Sequence, residues 1–586
     1  MRVSAPRLSE FIKAYDVRGL VPQQLNDSVA FAIGSAFAQV VARPDGATSI
    51  VVGHDMRESS PSLSRSFAAG AAARGLDVTL IGLCSTDGLY YASGALDLPG
   101  AMFTASHNPA RYNGIKLCRS GARPVGQDTG LGEIRDLAQS LLDAEDVRAV
   151  GAFAADDVPA DEAPADEAPA DEAHDGKITE KDVLAGYAQF LRGLVDLADV
   201  RPLTVVVDAG NGMGGHTVPA VLGTHAGLPA LPLTVIPLYF ELDGTFPNHE
   251  ANPLKPENLR DLQAAVIAHG ADLGLAFDGD ADRCFVVDER GEPVPPSVIT
   301  ALVGTREVAK ERAAGRPATV VYNVISSAAV PELIAAAGAT AVRTRVGHSF
   351  IKAEMARVKA VFGGEHSAHY YFRDFWFADT GMLAAMHVLA ALGEQSRPLS
   401  ELVAEYSRYV ASGEINSTVT DARAATAAVR AWAQAWGLEA GQDVAFDELD
   451  GMTVTHKGDP MWWFNLRASN TEPLLRLNVE AADGPTMRWV RDDVLSIVRG
   501  EAMPKREDTL TGQNRPVGGA AAAIPPRLEP WLREILRCPQ CRSTLTDGSG
   551  PDGPELQCTN AQCRRAYRIE DGIPVLLVDE SRSLEN

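Results

Sequence analysis

The sequence predicts an α/β protein with several domains. Helix-like apolar segments alternate with β-branched segments early in the chain, as at residues 28–41, 49–53 and 62–74. Strands that alternate with helices in this way usually assemble into a mainly parallel sheet. The chain has 586 residues, and at about 150 residues for each domain it has room for about four domains.

Composition and charge narrow the classes of function. Apolar residues make up 46% and charged residues 22% of the chain, which is typical of a folded globular protein. The net charge of -24 repels polyanions, so nucleic acid is not expected as a ligand. The sequence contains no apolar run of about 18 residues, and its first residues lack the apolar core of a secretion signal. We therefore expect a cytoplasmic protein that does not bind membranes.

A polar turn, TASHNP, follows the apolar run at residues 98–103 and contains Ser106 and His107. It places Ser106 at the end of a strand, where loops carry chemistry. A serine hydroxyl needs a base or a metal to become a good nucleophile, so this stretch alone is equally compatible with a capped turn. Lys116, in the segment NGIKL, is expected near Ser106. The alternative is a lysine that extends its charged end to solvent.

A second polar loop, DGDADR, follows the strand-like segment Leu273–Phe277. Asp278, Asp280 and Asp282 alternate, so an extended loop would direct all three carboxylates to one side. Ligands that are all oxygens favour a hard cation such as Mg²⁺, with a solvated turn as the alternative. An EF-hand loop is excluded because its sixth position, normally glycine, is Arg283.

A glycine pattern, DAGNGMGG, opens the next alternating unit. Gly210, Gly212 and Gly215 spell GxGxxG after a strand-like segment, and the following strand ends at Glu241. This pattern is typical of dinucleotide-binding turns, which makes a dinucleotide enzyme the first rival hypothesis. The same glycines also suit a tight turn without a ligand.

Two further loops carry hydrogen-bonding groups that suit sugar hydroxyls. VGHSFIK contains His348 and Lys352, and GGEHSAHYYF contains Glu365, Ser367 and His369. The paired glycines allow a sharp turn before the second group.

Another loop, RASNTEP, lies between two strand-like segments at residues 462–466 and 474–479. Guanidinium, hydroxyl and amide groups in one hairpin suit a phosphate dianion. These groups belong to Arg467, Ser469, Asn470 and Thr471, with Arg476 just beyond the loop.

The motifs TASHNP, DGDADR, GGExS and RxSxTEP, in this order, resemble those of the α-D-phosphohexomutases, the phosphomannomutase and phosphoglucomutase group, over residues 8–500. The resemblance implies three related mixed α/β domains and a fourth α+β domain around a central cleft. The expected boundaries are 1–150, 177–296, 297–398 and 399–500, with an acidic insertion of three PADEA repeats at 151–176, a linker at 501–526 and a small terminal domain at 527–586.

The same resemblance implies reversible phosphoryl transfer between C1 and C6 of a hexose phosphate. Ser106 would carry the phosphoryl group, with a hexose 1,6-bisphosphate as intermediate and activator. An oxygen of phospho-Ser106 would join the three aspartates around Mg²⁺. Arg283 would draw charge from phosphorus, and Lys116 would move a proton if nearby positive charge lowers its pKa.

The resemblance also assigns the remaining positions. Glu365 and Ser367 match the sugar loop, and the RASNTEP residues match the loop that grips the substrate phosphate. The positions expected to line the same site are Tyr15, Arg18 and His107.

The sequence departs from the family pattern at Ile325, where relatives often have lysine. His348, His369 or Lys352 could replace that contact. Mannose and glucose phosphates are the expected substrates, and glucosamine phosphate remains an alternative.

Four cysteines lie in the terminal segment: Cys538, Cys541, Cys558 and Cys563. Two close pairs separated by a short segment favour a four-thiolate zinc site. Together with AYRIEDGIPVLL, this segment resembles the small zinc ribbons that activate tRNA and other methyltransferases. The resemblance implies structural Zn²⁺ and a protein partner, so a chain acting as a protein-binding module is the second hypothesis. A stabilising or oligomerising tail is the alternative.

Overall fold

The computed structural model describes residues 6–13, 15–144, 175–441, 444–468, 474–501, 536–550, 553–570, 573–578 and 581–583. The chain forms two compact units, Met1–Pro504 and Lys505–Asn586. All but the last two residues of the PADEA insertion, and all but the first residue of the expected linker, lie outside the described residues.

The first domain contains a seven-stranded mixed sheet. Its strands are β1 (Val17–Leu20), β2 (Ser49–His54), β3 (Asp77–Leu83), β4 (Gly100–Phe103), β5 (Tyr112–Arg119), β6 (Arg123–Pro124) and β7 (Ile178–Glu180), and its helices are α1 (Asp27–Phe37), α2 (Ser60–Ala72), α3 (Thr86–Leu96) and α4 (Leu131–Asp143). The order is β1-β5-β4-β2-β3-β7, with β6 on β5. Strands β3, β2 and β4 are parallel, whereas β5 is antiparallel to β4.

The chain enters the second domain later than residue 177, the boundary expected from sequence. Strand β7 lies beyond the acidic insertion, yet Ile178 pairs in parallel with Val78 and extends the first sheet. Three exposed residues at a sheet edge carry little apolar signal, so the sequence did not reveal this pairing.

The second and third domains each contain a five-stranded mixed sheet. In the second, the elements are α5 (Leu184–Leu194), β8 (Leu203–Asp208), α6 (Gly214–Val221), β9 (Leu233–Leu238), α7 (Arg260–His269), β10 (Leu273–Phe277), β11 (Cys284–Asp288) and β12 (Pro293–Val294). In the third, they are α8 (Pro296–Ala313), β13 (Thr319–Asn323), α9 (Ala329–Ala336), β14 (Thr340–Thr344), α10 (His348–Val358), β15 (Phe362–Gly364), β16 (Tyr370–Phe372), β17 (Ala378–Asp379) and α11 (Gly381–Gly393).

The two sheets repeat one pattern. Three parallel strands are followed by an antiparallel extension, in the orders β12-β11-β10-β8-β9 and β14-β13-β15-β16-β17. Helix α11 is apolar on every side and buried along its whole length, because it packs inside a core shared by the two domains.

The fourth domain has a different architecture. Its elements are α12 (Leu399–Ala404), β18 (Val410–Thr418), α13 (Ala422–Ala440), β19 (Val444–Asp447), β20 (Met452–His456), β21 (Trp462–Ala468), β22 (Leu474–Ala481) and α14 (Gly484–Arg499). All neighbouring strands in the order β18-β22-β21-β20-β19 are antiparallel. The apolar sides of α13 and α14 share one core with this sheet. The expected α+β fourth domain is therefore confirmed.

The GxGxxG segment has a structural explanation that needs no dinucleotide. A side chain at Gly215 would lie 2.2 Å from the carbonyl oxygen of Phe240, and one at Gly212 would lie 2.7 Å from that of Gly279. Gly210 has a positive φ of 52°, which glycine adopts without strain. These glycines allow the start of α6 to pack against the DGDADR loop and the end of the neighbouring strand.

The terminal unit is a small antiparallel ribbon. Its strands are β23 (Leu545–Gly550), β24 (Gly553–Cys558), β25 (Arg565–Glu570), β26 (Ile573–Pro574) and β27 (Arg582–Ser583). Cys538, Cys558 and Tyr567 form its small buried centre.

Among the described residues, no helix is both long enough and apolar enough to cross a membrane.

Candidate active site

Ser106 lies in a constrained turn after β4. Its side chain is buried and its φ is 48°, a left-handed conformation that a residue with a Cβ rarely adopts. Such backbone strain persists only where surrounding contacts enforce it. The Ser106 amide donates a 2.8 Å hydrogen bond to the Thr104 hydroxyl, which fixes the start of the turn.

Arg57 enforces the rest of the turn. Its guanidinium donates to the carbonyl oxygens of Ser106 at 2.8 Å, Asn108 at 2.7 Å, Pro109 at 3.1 Å and Tyr112 at 2.9 Å. Asp55 neutralises this buried cation across 3.2 Å. Arg57 was not recognised as a site residue from sequence, because it lies in a different loop and contacts the serine turn only through main-chain atoms.

The DGDADR loop lies directly against Ser106. The Ser106 hydroxyl donates a 2.7 Å hydrogen bond to Asp278 Oδ2. A side chain on Gly279 would lie 2.4 Å from the Ser106 carbonyl oxygen, so the loop can approach this closely only with glycine there. The loop is fixed at both ends by the buried pair of antiparallel strands β10 and β11.

The three aspartates form a cluster that fits a divalent cation. Oxygen atoms of Asp278, Asp280 and Asp282 lie within 4.8 Å of one another, and all three residues are buried. Oδ1 of Asp280 and Oδ1 of Asp282 are buried without a hydrogen-bond partner. Buried carboxylate oxygens without partners are costly unless they coordinate a cation. A donor set made only of oxygens suits Mg²⁺.

Two cations already lie beside this cluster. Lys116 Nζ is 2.7 Å from Asp280 Oδ2 and 2.5 Å from Asp282 Oδ2, and Arg283 NH2 is 2.8 Å from Asp278 Oδ2. Burial alone would lower the pKa of Lys116, but the two aspartates outweigh it and hold the pKa well above its ordinary value. The condition set for proton transfer by Lys116, a pKa lowered by nearby positive charge, is therefore not met in this arrangement.

His107 and Arg18 complete the same wall of the cleft. His107 Nδ1 is 3.2 Å from the Ser106 hydroxyl and accepts a hydrogen bond from Arg283. Burial, followed by the charges of Arg283 and Arg18, holds the pKa of His107 well below its ordinary value. Arg18 is anchored by Asp16 at 2.7 Å and donates to the Asn108 side chain.

The GGEHSAHYYF loop contributes the opposite wall. Glu365 is buried and accepts hydrogen bonds from the Gly347 amide at 3.0 Å and the Tyr371 hydroxyl at 2.6 Å. Ser367 Oγ lies 3.0 Å from His369 Nδ1. His369 Nε2 in turn lies 3.6 Å from Asp282 Oδ1, so this loop reaches the aspartate cluster.

A cavity of about 260 Å³ lies between these walls. All eight predicted catalytic residues line it, as does Asp282 of the aspartate cluster, together with three residues that were not predicted, Asp16, Tyr90 and Asp379. The predicted residues in the lining are Tyr15, Arg18, Ser106, His107, Lys116, Asp282, Arg283, His348 and His369.

A buried lysine, Lys352, contacts two residues of the cavity lining. Ile325 is buried, whereas Lys352 Nζ lies 2.6 Å from Asp379 Oδ1 and 4.1 Å from the ring centre of Tyr90. Burial and the charge of Lys352 lower the pKa of His348 to about 3, so this imidazole is neutral. Lys352 therefore sets the charge of the cavity wall through Asp379 and His348.

The RASNTEP loop is described only at its flanks. Arg467 on β21 and Arg476 on β22 are direct cross-strand partners. Ser469, Asn470 and Thr471 lie outside the described residues. Glu414 on β18 lies 2.6 Å from Arg467 and 3.3 Å from Arg476. Two guanidinium groups side by side form a strong anion site.

The four terminal cysteines are arranged as a metal site. Their sulfur atoms lie within 4.8 Å of one another. The separations are 3.7 Å between Cys538 and Cys563 and 3.4 Å between Cys541 and Cys558. Zinc–sulfur bonds of about 2.3 Å in a tetrahedron would separate the sulfurs by about 3.8 Å. The site therefore fits Zn²⁺.

The mixed α/β domains, with a serine hydroxyl beside an oxygen cluster and an arginine pair, define an arrangement suited to phosphoryl transfer. Comparison with models of protein families assigns the same class of protein. Residues 10–144, 185–291, 296–409 and 414–497 match, in turn, domains I, II and III and the C-terminal domain of phosphoglucomutase/phosphomannomutase. Residues 530–572 match the Trm112p-like protein family.

Individual relatives agree with this assignment. The chain is 39% identical over 491 residues to phosphohexose mutases of Xanthomonas campestris, covering 83% of this chain and 99% of the relative. It is 38% identical over 478 residues to a phosphomannomutase of Escherichia coli K12, covering 81% and 96%. A crystal structure of a phosphoglucomutase/phosphomannomutase family protein from Burkholderia thailandensis superposes with a TM-score of 0.68 at 28% identity, covering 84% and 99%. The chain belongs to the phosphoglucomutase/phosphomannomutase family.

Proposed function

We propose that this protein is a phosphohexose mutase that interconverts the 1-phosphate and 6-phosphate of mannose and glucose in the cytoplasm. The observation that carries the proposal is the position of Ser106 Oγ, which contacts Asp278, His107 and Arg283 in one buried cluster. Phosphoryl transfer depends mainly on alignment and charge neutralisation, and these contacts can supply both.

The reaction would begin with a phosphoryl group on Ser106. Arg467 and Arg476 would hold the substrate's own phosphate, while Glu365 and Ser367 would hold sugar hydroxyls and direct the free hydroxyl at phosphorus. The bond from Ser106 Oγ to phosphorus would break as the bond from the sugar oxygen forms, which gives a hexose 1,6-bisphosphate. After this molecule turns round in the cleft, its other phosphoryl group would return to Ser106.

The chain's own residues would manage charge and protons in both half-reactions. Arg283 would neutralise the transferring oxygens and keep Asp278 in place. Lys116, held protonated by Asp280 and Asp282, would stabilise the negative charge on Ser106 Oγ as that oxygen leaves, and the proton released by the attacking sugar hydroxyl would end on Ser106 Oγ. Mg²⁺, when held by the three aspartates and the serine-borne phosphate, would supply further charge neutralisation.

A bisphosphate is also the expected activator. A chain whose Ser106 carries no phosphoryl group cannot start the cycle, and a hexose 1,6-bisphosphate can donate one. The direct experiment measures turnover of mannose 1-phosphate, glucose 1-phosphate and glucosamine 1-phosphate by the wild-type chain and by Ser106→Ala. The proposal is supported if the wild-type chain turns over mannose 1-phosphate and glucose 1-phosphate and Ser106→Ala does not. A preference for glucosamine 1-phosphate would favour the phosphoglucosamine alternative.

For the terminal unit we propose a structural zinc ribbon that binds a protein partner. The match to the Trm112p-like family and the cluster of four sulfur atoms support this proposal. Leu577 adds an exposed apolar side chain, 56% accessible, to the ribbon. If the full chain and a Leu577→Asp variant retain the same partners with the same affinity, this surface is not the contact.

A further inference from the structure

We propose that Glu414 is a built-in competitor of the substrate phosphate, which occupies the arginine pair of the fourth domain and thereby sets its affinity for phosphorylated sugars. This inference rests on the proposed function, because it assigns the substrate phosphate to that pair.

The first argument is the geometry of the contact. Glu414 Oε2 accepts a 2.6 Å hydrogen bond from Arg467 NH2, and Glu414 Oε1 accepts one of 3.3 Å from Arg476 NH1. Each carboxylate oxygen therefore binds a different guanidinium. Two oxygens of a phosphate group would bridge the pair in the same way.

The second argument is the pairing of the two arginines themselves. Arg467 and Arg476 are directly opposite on β21 and β22. Like charges at directly opposite positions destabilise a sheet. An anion between them is therefore needed whether or not a substrate is bound, and in this structure Glu414 supplies it.

The third argument is that the carboxylate does not satisfy the pair. Nε of Arg467 and Nε of Arg476 are both buried without a hydrogen-bond partner. A guanidinium has five donors, and a carboxylate shared between two of them offers each only one oxygen. A phosphate dianion has more oxygens and more charge, so it can exchange with the carboxylate at a net gain.

The fourth argument is the backbone that presents Glu414. The pairing of β18 with β22 shifts between Ala411 and Glu414, and Gly413 in this irregularity has a φ of 69°. Bulges of this kind redirect side chains and often lie beside functional sites. The bulge sets Glu414 diagonally to Arg476, whose direct partner on β18 is Asn416.

The position of the pair in the cleft is consistent with this role. His366, beside Glu365 in the third domain's loop, is half-buried and lies close enough to Glu414 and Arg467 for both charges to act on it. Movement of the Glu414 carboxylate away from the arginines would therefore occur where the sugar loop and the phosphate site meet.

Competition between Glu414 and phosphate for the arginine pair would change the measured affinity for phosphate. An internal ligand that occupies a site for nine-tenths of the time weakens the apparent affinity of an external ligand about tenfold. Glu414→Gln keeps the shape and removes the charge. We expect it to lower KM for glucose 6-phosphate and Kd for inorganic phosphate by about 3–10-fold, without raising kcat.

The test uses the full chain, with calorimetry for inorganic phosphate and steady-state turnover for the sugar phosphate. Glu448→Gln is the matched control, since Glu448 pairs with Arg430 in the same domain and is exposed. Glu414→Asp, whose shorter side chain cannot bridge both guanidiniums, should also bind phosphate more tightly.

Weaker or unchanged phosphate binding in both Glu414 variants would overturn the inference and show that Glu414 only positions the arginines. Failure of the proposed function would give a different result from failure of this inference. In that case the wild-type chain would not interconvert hexose phosphates, whatever the effect of Glu414 on phosphate binding.

Discussion

Asp87 links three domains through its buried carboxylate. Oδ2 accepts a 2.7 Å hydrogen bond from the Tyr187 hydroxyl of the second domain and another of 2.7 Å from the Thr380 hydroxyl of the third. The neighbouring residue, Thr86, donates a 2.6 Å hydrogen bond to Asp280 of the aspartate cluster. The junction of the domains and the metal-binding loop are therefore connected through the first turn of α3.

The Asp87 junction predicts a specific pH dependence of stability. Burial raises the pKa of Asp87 from 3.8 to about 6, a change that corresponds to about 3 kcal/mol. A carboxyl group with a raised folded-state pKa contributes stability that is fully present below 3.8 and is lost as the pH rises through about 6. Asp87→Asn should therefore lose less stability than the wild type between these pH values.

Thermal unfolding measured at several pH values would check this prediction. Asp136→Asn is the control, because Asp136 is an exposed carboxylate on α4 and its loss should leave the pH dependence unchanged. Parallel pH profiles for wild type and Asp87→Asn would contradict the account of Asp87.

Arg57 should be essential for the stability of the serine turn. Arg57→Ala leaves Asp55 buried without its ion pair and leaves four carbonyl oxygens without their donor. Removal of one partner of a buried pair typically costs about 3–5 kcal/mol. Arg135→Ala, which removes an exposed ion pair, should cost less than about 1 kcal/mol. Equal unfolding temperatures for the two variants would refute this assignment.

Metal dependence should follow from the aspartate cluster. Asp280→Asn removes one ligand oxygen and weakens the hold on Lys116. Loss of a residue that only supports a metal ligand typically weakens metal binding about 10–100-fold. Loss of a ligand itself should weaken Mg²⁺ binding by more than this. Calorimetric titration of Mg²⁺ would measure this, with Asp136→Asn as the control. Full turnover after exhaustive chelation would be incompatible with the proposed site.

Zinc should be required for the terminal ribbon and not for turnover. Cys541→Ser removes one of four thiolates, and a small domain with little core depends on its metal for folding. The variant should lose bound zinc and the hydrogen-exchange protection of residues 553–558, while hexose phosphate turnover stays unchanged. Thr546→Ala, on the same ribbon, should keep both the bound zinc and the hydrogen-exchange protection. Retention of zinc by Cys541→Ser would contradict the four-thiolate site.

The four motifs taken together, with the family that they resemble, were enough to predict most of the site. Ser106, the aspartate cluster and Glu365 could be predicted because each lies in a short polar loop directly after a strand, where the fold brings loops together. The likeness of the GxGxxG segment to a dinucleotide-binding turn has a physical reason. Close packing around Gly212 and Gly215 requires the same residue type as a phosphate-binding turn.

Other features depend on contacts between distant segments. Asp379 and Lys352 lie in separate elements, and only the folded chain places them 2.6 Å apart beside His348. The protonation of Lys116 also could not be predicted, since it depends on the distances to Asp280 and Asp282. Arg57 gave no sequence signal because its partners in the serine turn are main-chain carbonyl groups.

The central claim is that Ser106 stores and releases a phosphoryl group. Intact-mass measurement and peptide mapping after addition of glucose 1,6-bisphosphate test it most directly. The account predicts one phosphoryl group on Ser106 that is lost on addition of a hexose phosphate, and neither labelling nor turnover in Ser106→Ala. Turnover at the wild-type rate by Ser106→Ala, or labelling at another residue that is equally lost to substrate, would contradict it.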